Sequence, residues 1–136
     1  MHLVDTNVIS EARKGRNANR GVVEFFGKAD PGGLYVAVQT IGEIRRGLEN
    51  IRHRGDLAQA KKLEKWLDLL LADYAARILG FDTDCAQVWG RLMSPHPGNP
   101  IDKQIAAIAL THDLTVVTRN LDDFRGTGVS VVNPFV

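Results

Sequence analysis

The chain has 136 residues, 44% hydrophobic and 24% charged, with a formal net charge of +1 at pH 7. That size and balance fit one globular domain and exclude a long multidomain enzyme or a disordered chain, and a lone cysteine, Cys85, excludes a disulfide scaffold. No apolar run nears the ~20 residues of a membrane helix, and the N-terminus lacks the basic and apolar blocks of a secretory signal, so a soluble cytoplasmic protein is expected.

Residues His2–Asp5 read as a short buried strand running straight into a helix over Thr6–Glu11. Asn19–Lys28 reads as a second helix, followed by the turn Asp30-Pro31-Gly32-Gly33 and a strand over Leu34–Val38. Thr40-Ile41-Gly42-Glu43 has the T-x-x-E form of a capping box and predicts a helix start there. Ile41, Ile44, Leu48 and Ile51 then recur at helical spacing until Gly55-Asp56 breaks the pattern. Leu57–Tyr74 reads as a second long helix, Arg77–Phe81 as a strand and Thr83–Met93 as a helix. A proline-rich loop, Ser94–Pro100, leads into a helix over Ile101–His112, with Pro100 suited to its first turn. A strand over Thr115–Thr118, a helical turn at Leu121–Phe124 and a last strand over Val129–Val132 complete the chain. Strands alternating with helices predict one α/β domain over residues 1–136, with a mostly parallel central sheet flanked by helices. Ligands of such sheets bind beyond the carboxyl ends of the strands.

Four carboxylates fall at such places. Asp5 ends the first strand, Glu43 sits in the predicted first turn of its helix, Asp102 opens the helix after Pro100, and Asp123 follows the fourth strand. Each also has a purely structural use: Asp5 as an N-cap, Glu43 in the capping box, Asp102 against the helix dipole, Asp123 in a turn. Together they predict one acidic pocket, where like charges raise one another's pKa unless a cation sits among them. An all-oxygen donor set selects Mg²⁺ or Mn²⁺, and no short-spaced histidine pair offers a zinc site. Cys85 reads as a buried thiol, not a nucleophile, and Trp66 and Trp89 read as core residues rather than base-stacking platforms.

Charge is unevenly spread. Between Ile44 and Lys65, seven bases and three acids make a net +4 arm on a slightly acidic remainder. Arg45, Arg46, Arg52 and Arg54 are its candidates for contacting a polyanion, the alternative being a solvated helix face or a protein-docking surface.

The segment Leu3-Val4-Asp5-Thr6-Asn7-Val8-Ile9-Ser10-Glu11 resembles the opening of PIN-domain ribonucleases, in particular VapC-like toxins of toxin–antitoxin pairs and their FitB-like subgroup. Thr40–Gly47, Pro100–Ala109 and Thr118–Phe124 resemble that family's later motifs, as do Gly128-Val129 and Asn133-Pro134-Phe135, in the same order along the whole chain. The resemblance implies a metal-dependent endoribonuclease with ligands Asp5, Glu43 and Asp102, and polar pocket residues Thr6 and Asn7. A fourth ligand would come from the C-terminal block. There the sequence departs from the simplest pattern, placing Asn120 where some relatives have Asp, so Asn120, Asp122 and Asp123 are all candidates, Asp123 first. The family also implies hydrolysis leaving a 5′-phosphate, a homodimer and an antitoxin partner. A non-cleaving metal-dependent RNA adaptor of the same fold is the alternative. A receiver-like phosphoacceptor domain ranks lower, because Asp5 has no acidic neighbour and the late strand ends in Thr118-Arg119.

Overall fold

The computed structural model describes all residues from Met1 to Val136. Five short strands form a parallel sheet: β1 (His2–Val4), β2 (Leu34–Ala37), β3 (Ile78–Leu79), β4 (Thr115–Val117) and β5 (Val131–Val132), in the order β3-β2-β1-β4-β5. Six helices surround it: α1 (Thr6–Ala12), α2 (Arg20–Lys28), α3 (Val38–His53), α4 (Leu57–Asp73), α5 (Thr83–Met93) and α6 (Pro100–Thr111). The expected α/β architecture holds. None of the helices is long and apolar enough to cross a membrane.

Consecutive strand residues point to opposite faces, and this divides the core in two. Val4, Val36 and Val117 pack with Val8, Ile9, Val22, Ile44, Leu48, Leu67 and Leu70 of α1 to α4. Their neighbours Leu3, Ala37 and Val116 face the other way, onto Cys85 of α5 and Ile105, Ala106, Ile108 and Ala109 of α6. The small residues of α6 let that helix lie close to the sheet, and Ala106 to Ala109 are fully buried. Cys85 is buried, as its sequence context predicts. Trp66 packs against the first core with Arg13 over its ring, and Trp89 meets Phe81 edge-on and donates to the Pro100 carbonyl at 3.1 Å.

From β1 the chain moves outward to β2 and β3, then crosses back to place β4 on the other side of β1. The carboxyl ends of β1 and β4 therefore flank the topological switch point, where sheets of this type bind ligands.

Local differences from the sequence expectation have physical causes. The strands are two to four residues long, and the first two give way at once to α1 and α3. Asp5 is not the last residue of β1 but the N-cap of α1. Val38 leaves the second strand and begins α3, two residues before the predicted start, so Thr40 and Glu43 form no capping box. Ala37 occupies the N-cap without a side-chain hydrogen bond, and Glu43 lies in the second turn rather than the first.

Candidate active site

Asp5 is only 4% exposed. Its Oδ1 accepts the Thr6 backbone N–H at 2.8 Å, and its Oδ2 accepts the Thr118 hydroxyl at 2.8 Å and the Asn7 amide at 3.3 Å. Burial raises its pKa, these hydrogen bonds pull it down, and the Asp123 charge pushes it up again; the net shift is upward. Asn7 ties the same strand ends together, its Oδ1 accepting the Arg119 backbone N–H at 3.0 Å.

Glu43 is held by a relay. The Thr6 hydroxyl lies 2.7 Å from Glu43 Oε1 and 3.2 Å from the hydroxyl of the fully buried Thr40. A hydroxyl has one proton to give. Thr6 gives it to the carboxylate, and Thr40 donates to Thr6 in turn. The T-x-x-E pair thus serves the pocket through Thr6, which the local pattern alone does not reveal.

Asp102, in the first turn of α6, has its pKa raised to about 6. Burial is the largest cause, followed by the charges of Asp5, Asp123 and Glu43. All four carboxylates therefore share one electrostatic pocket. None of them forms an ion pair with a lysine or arginine. No three His, Cys, Asp or Glu side chains stand close enough together to hold a metal ion as they are placed, and Glu43 is exposed. The four side chains offer only carboxylate oxygens, the donor chemistry of a hard divalent cation.

In the C-terminal block the candidates separate. Asp123 is half-buried in the 3-10 turn Leu121–Phe124, and its charge reaches Asp5 and Asp102. Asp122 is exposed and turns to Arg125 at 2.6 Å. Asn120 is exposed, its backbone N–H bonded to the Thr118 hydroxyl at 3.0 Å.

The basic arm divides likewise. Arg45 contacts Glu64 at 2.6 Å and Glu49 at 3.1 Å, and Arg52 contacts Glu64 at 2.8 Å and Glu49 at 3.3 Å. These bonds hold the Arg45 pKa up and the Glu64 pKa down, each chiefly through the Arg45–Glu64 hydrogen bond. The two arginines tie α3 to α4. Only Arg46 and Arg54 of the four are exposed and unpaired. Of the four candidates, Arg45 and Arg52 are thus engaged in the α3–α4 contact, and Arg46 and Arg54 are not.

Three residues without a sequence-level signal also shape the site. Gln39 on α3 donates to Gln104 Oε1 on α6 at 3.1 Å, joining the helices that carry Glu43 and Asp102. The buried Lys103 donates its ammonium to the His96 carbonyl, anchoring the loop before α6.

Residues 2–129 match the PIN domain family. The chain is 34% identical to the plasmid stability protein StbB of Pseudomonas syringae pv. tomato, covering 99% of each. It is 32% identical to the VapC ribonuclease Y4jK of Sinorhizobium fredii, covering 99% of this chain and 98% of that one. The crystal structure of FitAcB from Neisseria gonorrhoeae superposes with a TM-score of 0.86 at 31% identity, over 98% of both chains. The strand order, the acidic pocket at its switch point and these likenesses place the chain in the PIN-domain family, among the VapC-like toxins.

Proposed function

We propose that the protein is a metal-dependent endoribonuclease and the toxin of a toxin–antitoxin pair, acting on RNA in the cytoplasm. The observation that carries this reading is the grouping of Asp5, Glu43, Asp102 and Asp123, whose charges and burial raise the Asp102 pKa to about 6 and none of which pairs with a lysine or arginine. The likeness to a relative named as a ribonuclease supports the same chemistry.

In this reading Asp5 and Asp102 are the principal ligands of Mg²⁺ or Mn²⁺, with Glu43 and Asp123 completing the set and Asn120 at its margin. The divalent ion, when bound, neutralises phosphodiester charge and acidifies a water for attack. The chain's own part is to hold the ligands still. Thr6, Asn7 and Thr118 fix both oxygens of Asp5, and Thr6 fixes one oxygen of Glu43. No side-chain nucleophile is needed, in keeping with the buried Cys85. Single-stranded or looped RNA is the substrate class, since its backbone bends into a recessed site. Partners are a cognate antitoxin and a second copy of the chain in a homodimer.

Purified protein stripped with chelator and mixed with cellular RNA provides the test. Discrete cuts restored by Mg²⁺ or Mn²⁺ are expected, with Ca²⁺ binding but not supporting turnover. Full cleavage in excess chelator overturns the metal role, and RNA binding without cuts assigns the chain to the non-cleaving adaptors.

A further inference from the structure

We propose that Arg119 is the phosphate anchor of the site, binding the RNA backbone beside the bond to be cut; this rests on the ribonuclease reading above. The sequence places Arg119 directly after Thr118, and the structure pins that stretch of backbone at three points. Thr118 donates to Asp5 at 2.8 Å, the Arg119 N–H donates to Asn7 at 3.0 Å, and the Asn120 N–H reaches back to Thr118 at 3.0 Å. The root of Arg119 is thus locked to the same groups that hold the acidic pocket.

Its guanidinium is poised as well. It lies over the Phe135 ring at 4.8 Å and makes no ion pair with any carboxylate. Glu11 feels its charge, but the Glu11 oxygens are taken by Lys14 at 2.9 Å and the Asn19 N–H at 2.8 Å. Phe135 is itself anchored. It packs on the core, its N–H donates to Asn133 at 3.0 Å, and Asn19 binds both the N–H and the carbonyl of Val136. Gly21 lets the Pro134 carbonyl press against α2, where an added Cβ would lie 2.0 Å from that oxygen.

Arg119 lines one surface depression with Asn120, Leu121, Asp122 and Asp123. Of the two bases at this acidic margin, Arg125 is spent on Asp122. A free guanidinium, stacked on an aromatic face at the rim of the depression that Asp123 shares, matches a phosphodiester that must approach against negative charge. Its fork geometry suits phosphate oxygens better than a lysine would.

The test measures affinity for a labelled single-stranded oligoribonucleotide across a salt series, in the Asp102→Asn background so that RNA stays intact. Arg119→Gln is expected to weaken binding about tenfold, as for one charge-assisted contact, and to lower the salt slope by ~0.7. Arg119→Lys should recover part of the loss, and Phe135→Leu should lose less than Arg119→Gln. In the parent enzyme, Arg119→Gln should raise KM far more than it lowers kcat. Melting curves check that each variant folds. Unchanged affinity and slope, or RNA binding too weak to measure in the background protein, overturns the proposal. So does an Arg119→Gln variant that binds RNA normally but loses affinity for an acidic peptide, which would assign the guanidinium to a protein carboxylate. The ribonuclease reading fails separately, when the parent protein cuts no RNA in Mg²⁺ or Mn²⁺.

Discussion

The Thr118 hydroxyl just past β4 donates to Asp5 Oδ2 just past β1, 2.8 Å away, tying the ends of two adjacent strands. Asp5 accepts three hydrogen bonds in all, whereas the Asp102 carboxyl is governed by burial first and then by the charges of Asp5, Asp123 and Glu43. The two carboxylates are alike in the sequence and unlike in the fold.

Their amide variants should therefore part company. Asp5→Asn places an NH₂ among donors and should lower stability by ~1–2 kcal/mol. Asp102→Asn removes a like charge and should leave the fold as stable or more so in chelator. Both should abolish RNA cleavage. Thermal melts beside cleavage assays check this, and a variant that cuts RNA normally would take its residue out of the site.

Stability should depend on pH in a direction set by Asp102 and Asp5, whose pKa values are raised in the fold. Across the window from about 4 to about 6 the folded state holds protons that the unfolded chain has released. Stability in chelator should thus fall as pH rises through that window. The Asp102 contribution should be ~1 kcal/mol after solvent screening of a half-exposed group. Glu11, Glu64 and Asp82 have lowered pKa values, so their stabilisation is lost only in more acidic solution. Melting temperature should peak near the acid end of the window in chelator, and saturating Mg²⁺ should abolish the decline at higher pH. A flat profile in chelator would refute the shared pocket.

Thr6→Val keeps the shape of Thr6 and removes the proton given to Glu43. It also strands the buried Thr40 hydroxyl. A loss of ~1 kcal/mol is expected, together with a higher Mg²⁺ requirement for cleavage as Glu43 loosens. Thr6→Ser should restore both. Unaltered metal dependence in Thr6→Val would show that Glu43 needs no such support.

Neutralising Arg46 and Arg54 together should weaken RNA binding and flatten its salt dependence while leaving folding intact. Neutralising Arg45 and Arg52 should instead loosen α3 from α4 and lower the melting temperature. Measuring both pairs by melting and by RNA titration separates a polyanion surface from a structural clasp. The reverse pattern would restore Arg45 and Arg52 to RNA contact.

Much of this was legible in the chain. Helix α5 over Thr83–Met93 and the turn at Leu121–Phe124 carry their own local signals, and the structure has them at the same residues. The four carboxylates are legible as a group because residues past parallel strands and at helix N-termini share one edge of the sheet. What the sequence concealed depends on partners distant along the chain. Thr40 and Glu43 matched a capping box, but the strand before them ended early and Thr6 supplied the hydrogen bond. The charge run over Arg45 and Arg52 looked free because Glu64 comes from the next helix. The anchoring role proposed for Arg119 has no local signature, since its stacking partner Phe135 lies past β5 near the end of the chain.

The pairing of β1 with β4 also sets when the pocket comes into being. Asp5 and Thr118 are separated by 113 positions, and Asp102 and Asp123 lie in the last third of the chain. A polypeptide emerging from the ribosome through α5 carries Asp5 and Glu43 but neither of the other two acids, nor the strand that pins Asp5. Contacts this remote form late in folding. Translation therefore yields an inert segment for most of its course, and the four carboxylates meet only after β4 and the turn beyond it have been made.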